Sequence, residues 1–274
     1  MSTTLPYQLE GNGYPLLLIH GWGVTYSVWH KLVPLLAPHF QLIIVELSGI
    51  DEVYEVVPDM SYYPARAEAL EELRMTLGIE QWAIMAYSTG TRVGEAYLQR
   101  YPQRVARAVF LCPIYLRKTW KMIIQVMQRI DAKRSEVGNW IISGWRLYWL
   151  LLWFGFNLHQ RDYANNWLSE IQLHPLANLK RIIFELPGTG RAPFILPTSP
   201  LVPTLFVWGL RDTLAALPPN PRPNDVFIYA SHGAPVLTPH SVAEVVLPFL
   251  NEEVILQNIY LRTRQTRKMV SHST

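Results

Sequence analysis

Continuous apolar runs alternating with helix-patterned stretches constrain this chain more than any other feature of its sequence. The segments "YPLLLIHGWG", "FQLIIVEL" from Phe40 to Leu47, "QWAIMAY" and "VARAVFLC" are apolar without a period of two. Such runs suit strands covered on both faces, as in a parallel sheet. Between them, "SVWHKLVPLLAPH" and "YYPARAEALEELRMTLG" read as helices. In the second, Ala65, Ala69, Leu70, Leu73 and Leu77 recur at helical spacing, and Gly78 is placed to end the helix. Strands alternating with helices predict the α/β class: a mostly parallel sheet with helices on both faces.

The alternation stops after Pro113. Helix-like aromatic stretches follow, among them "WKMIIQVMQRI", "NWIISGWRLYWLLLWFGF" and "LANLKRIIFELPG", before "TLFVWGL" and "DVFIYA" restore strand character. The stretch "SVAEVVLPFLNEEVILQNIYL" reads as a closing helix. A chain of 274 residues, half of them hydrophobic, is enough for one large core. The expected organisation is therefore a core of residues 1–113 and 199–274 carrying a helical cap, residues 114–198, too long and too patterned for a plain loop. That cap holds eleven Lys and Arg against five Asp and Glu, while the net charge of the whole chain is only +3.

Several function classes are disfavoured. A net charge this small does not indicate a nucleic-acid partner. The single cysteine, Cys112, permits no disulfide framework and reads as core. The amino-terminal "MSTTLPYQLEGNG" lacks the charged and apolar regions of a secretory signal, so a cytoplasmic location is expected. His30, His39, His159, His174 and His240 show no metal-ligand spacing, and no glycine pattern for phosphates opens a helix, so neither metal nor cofactor is expected. The run "LYWLLLWFGF", Leu147–Phe156, is shorter than the about 20 residues that span a bilayer. It reads as a lid helix, a substrate-facing wall or an interfacial segment.

Chemistry enters at "MAYSTGTRVGEAY". A strand ending at Tyr87 and a helix opening just beyond Ser88 throw the serine onto a sharp turn at the carboxyl end of the sheet, where open α/β folds bind ligands. Small residues are needed two positions either side; Gly90 meets that need and Ala86 adds one methyl. A serine needs a base, and the base an orienting carboxylate. Asp212 follows the strand in "TLFVWGLRD" and His232 follows "DVFIYASH", giving the order Ser, Asp, His. The oxyanion donors expected are the backbone amides of Thr89 and of Trp22 within "HGWG". His20 in that motif suits loop structure better than base catalysis, and Glu46 and Asp51 are lesser alternatives to Asp212.

On "LLLIHGWGVTYSVWHKLVPLLAPHFQLIIVEL", "STGTRVGEAYLQRYPQRV", "WGLRD" and "HGAPVLTP", the chain resembles the α/β-hydrolase family. Within it, the likeness is to the carboxylesterases of biotin synthesis that cleave a pimeloyl-carrier-protein methyl ester. The resemblance implies an α/β-hydrolase fold and a cap that sets acyl-chain preference. The chain departs from that pattern at Ala86 and at "SGIDEV" from Ser48, where the family has a glycine-rich loop.

The expectation is a serine hydrolase of carboxylic esters with a hydrophobic acyl group, working through an acyl-enzyme. The alternatives are a thioesterase or carbon–carbon bond hydrolase with the same triad, or a non-catalytic relative that binds a lipid or protein. The basic cap admits an acyl-carrier protein, an anionic membrane surface or plain solvent as its neighbour.

Overall fold

The computed structural model describes residues 5–47, 62–144, 174, 176–186 and 202–251. Among the described residues, seven strands form one sheet: β1 (Tyr7–Glu10), β2 (Tyr14–Ile19), β3 (Phe40–Val45), β4 (Trp82–Tyr87), β5 (Val105–Leu111), β6 (Thr204–Gly209) and β7 (Asp225–Ile228). Their spatial order is β1-β3-β2-β4-β5-β6-β7. Only β1 runs antiparallel, Tyr7 facing Val45.

The apolar runs form strands because both sheet faces are covered. Leu17, Ile19, Ile84, Ala86 and Phe110 point into one buried cluster. Their neighbours Leu16, Leu18, Met85, Val109 and Leu111 point into the other. Helices α2 (Tyr62–Thr76) and α3 (Gly90–Arg100) close the first face with Ala67, Leu70, Val93 and Tyr97. Val28, Trp29 and Leu36, with Val242 and Val246 from the helical residues 239–251, close the second.

Two local expectations are corrected. The stretch "SVWHKLVPLLAPH" is not one helix but a 3-10 turn, Tyr26–Trp29, and a single α turn, α1 (Val33–Leu36), with Pro34 in its first positions. Proline lacks the N–H that a helix interior needs, so the pattern breaks there. On α2 the apolar stripe is also incomplete. Leu70 and Leu73 are buried, Ala65 and Ala69 are only half-buried, and Arg66, Glu71 and Arg74 lie inside. Arg74 grips Glu71 through two bonds of 2.9 and 2.7 Å, and the Tyr97 hydroxyl donates to the same carboxylate at 2.6 Å. These bonds meet the cost of withdrawing the charges from water.

The chain leaves β2 to one side for β3 and returns to the other side for β4. The carboxyl ends of β2 and β4 therefore flank the crevice where strand order reverses, the usual ligand site of such sheets.

Within the segment read as a cap, α4 (Lys118–Lys133), residues 135–144 and Leu176–Phe184 are helical. Met127, Ile142 and Leu179 form a small buried cluster among them, with Trp22 packed against it. Residues 48–61, 145–173 and 187–201 are outside the described residues, and with them "SGIDEV", Asp51, His159 and the run Leu147–Phe156.

Candidate active site

Ser88 has φ +54°, one of two non-glycine residues in the described chain with positive φ. A side chain held in that left-handed region costs roughly 1–3 kcal/mol and persists only where its surroundings impose it. Here the surroundings are plain. The Ser88 N–H donates to Leu111 O at 3.1 Å, and its carbonyl accepts from Thr91 N–H at 3.1 Å and the Thr91 hydroxyl at 2.6 Å. A Cβ on Gly90 would stand 2.2 Å from His20 O, so only glycine lets α3 start this close to the end of β2.

Ser88 Oγ lies 2.8 Å from His232 Nε2, and His232 Nδ1 lies 2.6 Å from Asp212 Oδ2. All three residues are buried. Asp212 sits in the turn after β6, where its N–H donates to Gly209 O, and its second oxygen accepts from the N–H groups of Leu214 (2.8 Å) and Ala215 (3.0 Å). Burial alone would raise the Asp212 carboxyl. The His232 imidazole and the two amides outweigh it and hold the group below its ordinary value. An ionised carboxylate only accepts, so His232 Nδ1 carries the proton, and a neutral ring leaves Nε2 to accept from the Ser88 hydroxyl.

Other side chains brace this line. The Tyr87 hydroxyl donates to His232 O at 2.9 Å, with its ring centroid 5.5 Å from the imidazole. Arg117 Nη2 donates to Asp212 O at 2.8 Å, so the root of the inserted segment is tied to the carboxylate's own loop. Tyr87 carried no signal in the sequence beyond its proximity to Ser88, and Arg117 read only as one of the basic residues of the segment 114–198.

Thr89 precedes α3 at its amino end, where N–H groups lack helical carbonyls, and Trp22 lies in the loop after β2. That loop crosses Ser88 closely: a Cβ on Gly21 would stand 2.7 Å from Ser88 Cβ. The Trp22 indole N–H donates to Leu179 O at 2.9 Å, a bond that its choice as a backbone donor did not anticipate.

His20 does not face the serine. Its Nδ1 donates to Gly21 O at 2.8 Å, and its Nε2 accepts from the Leu47 N–H at 2.9 Å and lies 2.8 Å from Glu46 Oε1. Gly21 O can only accept, so Nδ1 holds a proton, while Nε2 is the atom that the Leu47 N–H donates to. Burial pushes this imidazole down; Glu46 and the Gly21 carbonyl more than offset it, leaving it above its ordinary value. Glu46 is thereby engaged with His20 and not with His232.

Among the described residues one group has metal-ligand types close together: Cys112, Asp212 and His232, with ligand atoms within 4.8 Å of one another. Burial and the adjacent Asp212 charge push the Cys112 thiol well above its ordinary value, so it stays protonated and makes a poor ligand.

Comparison with known proteins bears on the fold. A family model described as alpha/beta hydrolase fold matches residues 14–143. The chain is 31% identical over 146 residues to a pimeloyl-[acyl-carrier protein] methyl ester esterase of Photobacterium profundum, covering 51% of this chain and 53% of that protein. It thus spans about half the length of that curated relative. Among solved structures, a thermophilic esterase from Thermogutta terrifontis superposes with a TM-score of 0.69 at 20% identity, covering 90% of this chain and 93% of the other. An epoxide hydrolase from Bacillus megaterium gives 0.71 at 18%, covering 90% and 96%. At such identities the two structures speak for the fold alone.

Proposed function

We propose that this chain, which has the α/β-hydrolase fold, is a serine hydrolase cleaving carboxylic esters that carry a hydrophobic acyl group. The observation that carries the reading is the unbroken line Asp212, His232, Ser88, with contacts of 2.6 and 2.8 Å, ending on a serine held at positive φ. Ser88 Oγ attacks the ester carbonyl while His232 Nε2 takes its proton. The tetrahedral oxyanion is met by the backbone amides of Thr89 and Trp22, each commonly worth about 3 kcal/mol. His232 then delivers the proton to the departing alcohol. Water, deprotonated by the same imidazole, attacks the acyl-enzyme and releases the acid.

The acyl preference is supported by the apolar cluster of Met127, Ile142 and Leu179, against which the Trp22 ring packs. Residues 114–198 are accordingly read as a cap over the site. An acyl group presented on a carrier protein is a narrower version of the same proposal, motivated by the likeness to esterases named for such a substrate.

A fluorophosphonate probe tests the proposal. The native protein is expected to be labelled at Ser88, and Ser88→Ala and His232→Ala to abolish labelling. Native protein that folds yet resists the probe sinks the reading in favour of a non-catalytic relative. Matched oxygen and thiol esters of graded chain length then separate esterase from thioesterase chemistry.

A further inference from the structure

The solvent face of α4 is unlike an ordinary solvated helix. Met122 is 60% exposed and its neighbour Ile123 39%, and Val126, one turn further on, 48%. On the same side, Lys118, Arg129 and Lys133 are exposed, and none pairs with a carboxylate among the described residues. The only acid of α4 is Asp131, which turns inward to Lys180. Ile124 and Met127 form the buried side. Scattered exposed aliphatics are normal on any protein surface. Three in adjacent turns, bordered by cations and free of acids, are not the alternating-charge pattern of a helix adapted to water alone. Just past Arg134, Trp140 stands 77% exposed.

We infer that this face of α4 docks on an anionic lipid surface, inserting Met122, Ile123 and Val126 among the headgroups while Lys118, Arg129 and Lys133 meet their charge. A helix with apolar and basic residues on its outer face lies in the interface plane, held by buried apolar area and by attraction to anionic lipid. An acidic protein would satisfy the cations equally, but a convex helix face offers no groove to seat its apolar side chains. A headgroup layer yields around them. No described helix is long and apolar enough to cross a membrane, so the contact is with the surface. The inference stands apart from the catalytic reading, since it concerns attachment and not chemistry.

The test is co-sedimentation of the full chain with sucrose-loaded vesicles of phosphatidylcholine, with and without phosphatidylglycerol. Because the sequence also carries a basic stretch from Arg262 to Lys268, the variants decide. Binding is expected to anionic vesicles and to weaken with salt. Met122→Ser with Val126→Ser, and separately Lys118→Glu with Lys133→Glu, are each expected to weaken it roughly tenfold or more. Both pairs are exposed, so melting temperature and hydrolysis of a water-soluble ester should stay as in the native protein. Absence of vesicle binding, equal binding to both compositions, or binding indifferent to the apolar pair each overturns the inference. Capture by polyglutamate without vesicle binding overturns it in favour of an acidic protein partner.

Discussion

The methyl of Ala86 occupies the space that Gly94 leaves open: a Cβ built on Gly94 would stand 3.3 Å from Ala86 Cβ and 2.9 Å from Phe110 Cε1. The turn therefore tolerates alanine two residues before Ser88 because α3 presents a glycine to β4 one turn further on. Gly94→Ala is expected to destabilise the fold by about 1–3 kcal/mol through overpacking. In an Ala86→Gly background the penalty should shrink, though the Phe110 contact remains. Urea melts of the two single variants and the double variant measure the coupling, and strict additivity would refute it.

Asp212→Asn keeps the shape of the Asp212 loop but removes the charge that holds the proton on His232 Nδ1. A loss of about 10⁴-fold in kcat on an ester substrate is expected with little change in KM. The same carboxylate has a folded value below its ordinary one, so its stabilising contribution is present above the unfolded value of about 3.9 and is lost as pH falls through the folded value. Asp212→Asn should lack that part of the acid transition.

The His20–Glu46 pair has the opposite sign. Its imidazole is raised above the ordinary 6.5, so protonation favours the folded state. That contribution is full below 6.5 and fades as pH rises through the folded value. His20→Gln should flatten the loss of stability from mildly acidic to mildly alkaline pH, as read by denaturant midpoints. An unchanged slope would show that the pair does not carry a proton.

Trp22→Phe retains the ring but loses the indole donor to Leu179 O. One such bond is commonly worth about 1 kcal/mol, a modest fall in stability. If this bond seats the inserted helices over Ser88, KM for a long-chain ester should rise while KM for acetate esters stays unchanged. Steady-state kinetics on both substrates decide it.

Cys112 is fully buried and its thiol is held protonated by burial and the nearby Asp212 charge. A maleimide or disulfide reagent should leave the native protein unmodified and react once denaturant unfolds it. Rapid modification of folded protein would contradict the packing around β5.

Strands β2 to β7 could be read from the sequence because each carries a continuous or nearly continuous apolar run. Tyr7–Glu10 could not, since β1 is an exposed edge strand of four residues with no buried pattern of its own. The order Ser88, Asp212, His232 and their positions past strand ends were legible, as was Gly90. What chain order cannot carry is distance across a sheet. Two histidines each neighbour a carboxylate in space, and only the packed structure turns His232 toward Ser88 and leaves His20 with Glu46.

The amino-acid sequence thus determined the α/β layering, because burying apolar runs on both faces leaves few other arrangements, and it narrowed the chemistry to a handful of polar side chains at strand ends. Tertiary structure alone decided which imidazole meets the serine, that Ala86 is accommodated through Gly94, and that Tyr87 and Arg117 brace the site. Those outcomes depend on contacts between residues far apart in the chain, whose free energies exist only once the sheet has brought them together.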